Sequence, residues 1–382
     1  MWQIFISFLL LGCLSFGGPA AHIGYFHRTF VKEKKWLSAE EYANLVALSQ
    51  ILPGPGSSQV CFAIGYQQGK LIGAFLAFSA FTLPSFLLMS VFAMSYAAFN
   101  QHPFITALIS TLKIVAVVVV IDAVYGMFRQ FCQTKMTRSI CLCSAIFLLL
   151  FPSPVSQVIV LVFAAVIGGL LLTANKSTEA EVSLSFVGRN IWFWLFLVLL
   201  GASLLHYEQT VISLFSRYFQ AGSLVFGGGH VVLPLLQSLT VDQVSNDAFM
   251  AGYAAAQGIP GPMFTFASFL GSVELTAEPF LGALIATVGI FMPGFLLMLA
   301  FLPHWHQLSA QRHIAGVILA VNAAVVGLLL NALYQPLFVS AVGSASDVAM
   351  ICAGLLILKV FNWSVLRLLM IAVVSALLTT YM

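Results

Sequence analysis

The sequence predicts an all-α polytopic membrane protein made of two homologous helical repeats, inverted relative to each other, with helices broken at Pro-Gly-Pro. Three observations predict it. The 382 residues are 61% hydrophobic and 7% charged, with a mean hydropathy of +1.03, a composition foreign to soluble domains. Apolar segments near the roughly 20 residues a span requires recur along the whole chain. A set of short phrases also occurs twice, in the same order.

The apolar segments fall at 2–20, 42–67, 71–98, 105–128, 139–173, 190–206, 212–234, 248–271, 280–302, 313–335, 337–358 and 363–381. The stretch 139–173 is long and carries Pro152-Ser153-Pro154, so two helices are expected there. Met1 to Phe16 lacks the basic start of a signal peptide and reads as a retained first helix. Trp36 followed by Ser38, Glu40 and Glu41 reads as an interfacial aromatic, an N-cap and an acidic first turn, which starts the helix leading to Gln50.

The repeated phrases set the domain organisation. Phe16-Gly17-Gly18-Pro19-Ala20-Ala21-His22 returns as Phe226-Gly227-Gly228-Gly229-His230, and Gln50-Ile51-Leu52-Pro53-Gly54-Pro55 as Gln257-Gly258-Ile259-Pro260-Gly261-Pro262. Ile64-Gly65 matches Leu270-Gly271, Gly73-Ala74 matches Gly282-Ala283, and Leu83-Pro84-Ser85-Phe86 matches Met292-Pro293-Gly294-Phe295. This order implies a first repeat over 1–175, a connecting segment with an extra helix over 176–211, and a second repeat over 212–382. Such duplication is the usual build of secondary transporters, whose substrate sits where the repeats meet.

Orientation is approached through positive charge. Arg28, Lys32, Lys34 and Lys35 follow the first Gly-Gly, whereas the matching loop near 235–248 has no Lys or Arg and carries Asp242 and Asp247. By the positive-inside rule this favours inverted copies. A count that makes 42–67 a re-entrant hairpin and 139–173 two helices gives parallel copies instead, and the charges alone leave both readings open.

The two Pro-Gly-Pro breaks are the expected centre of function. Each removes amide donors inside an apolar run, and such a break needs burial in protein or a polar cavity. A new helix is expected just after each second proline. Its free amides and partial positive charge suit an anion without a buried Lys or Arg. Gln50, Pro53, Gly54, Pro55, Gly56, Ser57, Ser58 and Gln59 form the first candidate half-site, and Gln257, Pro260, Gly261, Pro262 and Thr265 the second. The plain alternative is two prolines that kink helices.

Gly17, Gly18 and His22, with Gly227, Gly228 and His230, are the second paired feature: glycines that let backbone unwind, and histidines able to donate to an oxyanion. Either histidine read singly is equally a packed residue capped by a carbonyl. Asp122 is the clearest intramembrane charge and a candidate for proton coupling, against the plain reading of a carboxylate bonded to a neighbouring helix. Lys113 lies on the opposite face of the same helix. Asn322 is expected to be the uncharged counterpart of Asp122 in the second half.

Several classes are excluded. Scattered basic residues, for a net charge of +3, give no nucleic-acid footprint. There is no Gly-Lys-Ser/Thr phosphate loop and no His-Glu-x-x-His helix, so neither ATP-driven transport nor zinc proteolysis is expected. His304, His306 and His313 lack a nearby carboxylate or thiol and read as a plain loop; the six cysteines read as packing residues, without a disulfide or metal pattern. No nucleophile with a matching base is found, so neither an enzyme nor a cofactor is expected. A passive anion channel and a membrane scaffold are the remaining alternatives.

Together these residues resemble the chromate ion transporter family in its long-chain, two-domain form. The likeness rests on the Phe16–His22 phrase, Trp36-Leu37-Ser38, Gln50–Pro55, Gly65-Tyr66, Leu83–Phe86, Phe226–Pro234 and Pro260–Pro262, and covers most of the chain. It implies a multi-pass protein of the bacterial inner membrane that exports chromate, with transport tied to the proton motive force and two halves of opposite topology. Gly56-Ser57-Ser58 stands where many members have Asn-Ala-Thr, Gln67 and Gln68 where basic residues are common, and Gln237 where an acid is common. Chromate and sulfate are isosteric tetrahedral dianions that these residues do not separate. The expected partners are therefore a small oxyanion and the lipid bilayer. A homodimer is expected only by analogy with other small transporters.

Overall fold

The computed structural model describes residues 1–99, 102–172, 190–205, 207–208, 210–226, 232–304 and 312–381. Among them every regular element is helical. The first half contains α1 (Trp2–Leu14), α2 (Gly18–Phe26), α3 (Ala39–Ile51), α4 (Gly56–Phe99), α5 (Pro103–Phe131), α6 (Lys135–Leu150) and α7 (Pro154–Leu171). α8 (Ile191–Ser203) stands between the halves. The second half contains α9 (Thr210–Leu224), α10 (Val232–Thr240), α11 (Asn246–Gly258), α12 (Phe266–Glu274), α13 (Pro279–Phe301), α14 (Arg312–Ala332), α15 (Ala345–Lys359) and α16 (Val365–Tyr381).

Local chemistry sets the boundaries. The Ser38 hydroxyl accepts the Glu41 amide at 3.1 Å and the Glu41 carboxylate accepts the Ser38 amide at 2.8 Å, a capping box that starts α3. At Pro152 the long apolar stretch breaks in two as expected, and Ser153 caps α7 by accepting the Ser156 amide at 3.1 Å. α4 bends at Gly69 and Lys70, whose backbones are non-helical, so it is a short limb (56–68) followed by a long one (71–99).

The stretch 42–67 is not a continuous span. α3 ends at Ile51 and the next helix starts at Gly56; α3, with 13 residues, rises only about 20 Å, short of the roughly 30 Å hydrocarbon core. The second half repeats the interruption between Gly258 and Met263. Both Pro-Gly-Pro sites are thus complete interruptions of the helix, which sets aside the reading of simple kinks.

Gly56–Phe99, Pro103–Phe131, Pro279–Phe301 and Gly316–Ala341 are long and apolar enough to cross a membrane. Ile72, Phe75, Leu87, Phe163, Leu170, Val198, Phe280 and Met370 are exposed on the outside. So large an apolar exterior is a surface for lipid, and the chain is a multi-pass membrane protein.

The two halves interlock. α14 of the second half packs on α6 and α7 of the first, while α15 and α16 pack on α5. At the centre Phe62 stacks on Phe295 at 4.4 Å, Phe78 meets Phe295 at 4.6 Å, and Phe92 meets Phe269 at 5.4 Å. In each half a glycine lets two helices touch backbone to backbone: a Cβ on Gly65 would lie 2.4 Å from the Gly73 carbonyl oxygen, and one on Gly271 2.2 Å from that of Gly282.

The halves are related but unequal. α11 is buried continuously from Ala248 to Ala254 and packs along α5, where Asp247 pairs with Lys113. Its counterpart α3 leaves Ala43 and Ala47 exposed.

Candidate oxyanion site

Each Pro-Gly-Pro break is closed by the opposite half. The Gly54 amide donates to the Val225 carbonyl at 2.7 Å, and the Gly261 amide donates to the Ser15 carbonyl at 2.9 Å. Ser15 and Val225 stand at matching places, each just before its Phe-Gly-Gly. The glycines adopt φ of +124° and +94°, a region that favours glycine. A Cβ on Gly54 would fall 2.8 Å from the Gly294 Cα, and one on Gly261 2.9 Å from the Ser85 Oγ. Ser85 and Gly294 are themselves matched positions. The irregular backbone is therefore buried in protein, as a membrane demands.

At the first break the N-terminus of α4 points into a buried polar network. His22 is wholly buried; its Nδ1 lies 3.2 Å from the Ser57 Oγ and its Nε2 3.2 Å from the Ser15 carbonyl oxygen. A carbonyl can only accept, so Nε2 carries the proton and Nδ1 accepts from the Ser57 hydroxyl. The same Ser15 carbonyl receives Gly261, so one chain of bonds runs from Ser57 through His22 and Ser15 to the second break. The Gln59 amide nitrogen donates to the Pro53 carbonyl at 2.9 Å and to the Gly294 carbonyl at 3.3 Å. The Ser85 hydroxyl donates to the Thr82 carbonyl at 3.0 Å. Around this network the hydroxyls of Ser15, Ser58 and Thr82 and the Gln59 Oε1 are buried and have no protein partner.

The second break is less polar. The Thr265 hydroxyl donates back to the Pro262 carbonyl at 2.8 Å, and the Gln257 amide lies 3.5 Å from the Met263 sulfur. Beside it lies a cavity of about 630 Å³ lined by Gly17, Gly18, Tyr25, Asp122, Gln257 and Gly261. That space joins the first Phe-Gly-Gly to the second Pro-Gly-Pro. Gly17 and Gly18 reach it with φ of +102° and +74° at the start of α2.

The structure thus gathers the expected residues into two neighbouring places. Ser57, Ser58, Gln59 and His22 form a closed polar core with Gly54 and Pro55. Gly17, Gly18, Asp122, Gln257 and Gly261 line the cavity. Gln50, Pro53, Gly56, Pro260, Pro262 and Thr265 belong to the breaks themselves and none of them lines that cavity. Gly227, Gly228 and His230 lie outside the described residues, as does His306, and the side chains of His304 and His313 are not described.

Three readings need correction or extension. Asn322 is not the counterpart of Asp122: Asp122-Ala123-Val124-Tyr125 is matched by Asn331-Ala332-Leu333-Tyr334, and Asn331 lines the corresponding cavity with Ser153, Pro234 and Gln237. Asn322 stands instead at the place of Lys113. Asp122, expected as the clearest intramembrane charge, is less buried than Glu274. The Glu274 side chain is 2% exposed, pairs with Arg217, and accepts the Tyr218 hydroxyl at 2.7 Å, whereas that of Asp122 is 36% exposed and pairs with Lys359. Lys359, Arg217 and Glu274 were not among the expected site residues. Lys359 and Glu274 are the last residues of their helices, where a charge ordinarily reads as interfacial, and Arg217 lies mid-helix in α9.

A family model described as Chromate transporter matches residues 2–170 and, a second time, residues 212–380. A chromate transport protein of Pseudomonas aeruginosa is 29% identical over 332 residues, covering 86% of this chain and 79% of its own. A chromate transport protein of Cupriavidus metallidurans is 26% identical over 353 residues, covering 86% and 81%. An uncharacterized transporter of Methanocaldococcus jannaschii is 28% identical over 337 residues, covering 86% and 82%. No solved structure matches the chain significantly.

Proposed function

The chain belongs to the chromate transporter family, and on that premise we propose that it is a secondary active transporter exporting chromate, or sulfate as its isostere, across a bacterial inner membrane. The anion is held at the N-terminus of α4 by the amides of Gly56, Ser57 and Ser58 and by nearby hydroxyls, with the second break closing over it. Chromate offers oxygen acceptors, so the site needs donors, and a helix N-terminus supplies them without a buried cation.

The observation that carries this reading is the set of buried hydroxyls of Ser15, Ser58 and Thr82 without partners around that helix start. An unsatisfied buried polar group costs about 1–3 kcal/mol, and an anion accepting from these hydroxyls would offset that cost. His22 acts by fixing Ser57 and bridging the breaks, since both its ring nitrogens are engaged. Asp122 is the proton-accepting group. The unequal burial of α3 and α11 supports alternating access by rocking of inverted halves, in which the two helices exchange their environments. The site lies within one chain, so assembly as a homodimer would leave it intact. The family is one of transporters.

The test is uptake of labelled chromate and sulfate into inverted vesicles, with and without a proton gradient, by the wild type and by Ser57→Ala/Ser58→Ala. The proposal expects gradient-dependent accumulation that the double substitution lowers at least tenfold. No accumulation of either anion would reject it; flux indifferent to the gradient would mark a passive channel.

A further inference from the structure

Lys359 ends α15 and pairs with Asp122, which lines the cavity between α2, α5 and the second break. The lysine is half exposed and lies 5.2 Å from the Tyr125 ring centroid, with Arg129 over the same ring at 5.7 Å. The other titratable and charged groups nearby are Tyr25 on the cavity wall and, on α16, Arg367 over Trp363. Lys113 and Asp247 satisfy each other further along α5, and Tyr334 is the titratable group on the turn after α14.

The repeat shows that the fold does not require this pair. Gly327 packs on Ser144 in one half as Gly354 packs on Val118 in the other. In that register Asp122 is matched by Asn331 and Lys359 by Leu149. The corresponding cavity of the other half, lined by Asn331 and Gln335, therefore forms without an ion pair. A charge pair added to only one of two related cavities calls for a reason other than packing.

Resting on the transport reading, we infer that Lys359 is an anion-capturing residue of the vestibule and that Asp122 holds it in reserve. When the Asp122 carboxylate takes up a proton it becomes a neutral acid, and the Lys359 ammonium, still protonated, transfers its ion pair to the incoming oxyanion. No covalent bond is made or broken beyond that proton transfer. The proton is taken up as the anion binds, and a dianion still adds net negative charge to the loaded site, so an inside-negative potential favours its outward movement.

The test measures the KM for chromate transport in proteoliposomes by the full-length chain and three variants. Lys359→Gln is expected to raise KM at least tenfold. Asp122→Asn is expected to lower KM at least threefold, because the Lys359 ammonium then has no carboxylate to leave before it meets the anion. Asp122→Asn/Lys359→Gln leaves no unpaired charge, so a merely structural pair predicts recovery to the wild-type KM, whereas capture by Lys359 predicts that KM stays at least tenfold high. Recovery in the double variant, or a raised KM in Asp122→Asn, overturns the inference. If Ser57→Ala/Ser58→Ala loses transport while Lys359→Gln keeps the wild-type KM, the inference falls and the transport reading stands. Absence of transport by the wild type overturns both.

Discussion

Gly54 donates its amide to the Val225 carbonyl at 2.7 Å, a bond between the Pro-Gly-Pro break of one half and the residue that precedes Phe-Gly-Gly in the other. Its mirror runs from Gly261 to Ser15 at 2.9 Å. The two motifs that repeat along the chain are therefore partners in space, each break completed by the opposite copy.

This exchange makes the break glycines sensitive and unequal. Gly54→Ala forces a Cβ to 2.8 Å from the Gly294 backbone, whereas Gly261→Ala meets the Ser85 hydroxyl at 2.9 Å, an atom that can rotate aside. Both also incur left-handed strain of about 1–2 kcal/mol. Thermal unfolding in detergent should show Gly54→Ala as the more damaging, and Ser85→Gly should partly rescue Gly261→Ala but not Gly54→Ala.

His22 is predicted to act as a brace. Replacing it by Phe keeps an aromatic ring but strands the Ser57 hydroxyl and removes a donor to Ser15, at about 1–3 kcal/mol for the stranded group. The expected outcome is a lower melting temperature together with reduced chromate uptake per folded molecule. Full uptake with normal stability would leave His22 without a role at the site.

The Arg217–Glu274 pair is predicted to be structural. Glu274→Gln leaves a largely buried guanidinium without its counter-charge, a loss on the order of 3 kcal/mol, while Tyr218→Phe removes one hydrogen bond to a charged group, worth about 1.5–3 kcal/mol. Both should reduce the amount of folded protein and leave the chromate KM unchanged. A changed KM would move this cluster into the transport pathway.

The proposed inversion of the halves has a direct chemical readout. Single cysteines at Lys34 and at Asp242, in a chain with its native cysteines replaced, should be labelled by a membrane-impermeant maleimide from opposite sides. Labelling of both from one side would mean parallel halves.

Much of this architecture was legible in the residues. Pro-Gly-Pro inside an apolar run cannot remain helical, so the breaks at 52–55 and 259–262 followed from backbone chemistry alone. Ser38 with Glu41 announced the cap of α3 by spacing. The crosswise pairing was not legible, because it depends on how two halves fold over each other and no local pattern encodes it. The Asp122 to Lys359 contact was hidden for the same reason: 237 positions separate residues that meet only because α15 packs on α5. The register of Asp122 was legible, in contrast. Asp-Ala-Val-Tyr against Asn-Ala-Leu-Tyr identifies Asn331 as its match, whereas Asn322 shares with Asp122 only a place in the comparable late helix of the second half.

The most direct test of the central claim is the position of chromium in a structure determined with chromate bound, read from its anomalous scattering. The account predicts one chromium site with chromate oxygens about 3 Å from the Ser57 and Ser58 amides, enclosed between the two breaks. Chromium bound elsewhere, with the start of α4 still facing only protein, would contradict it.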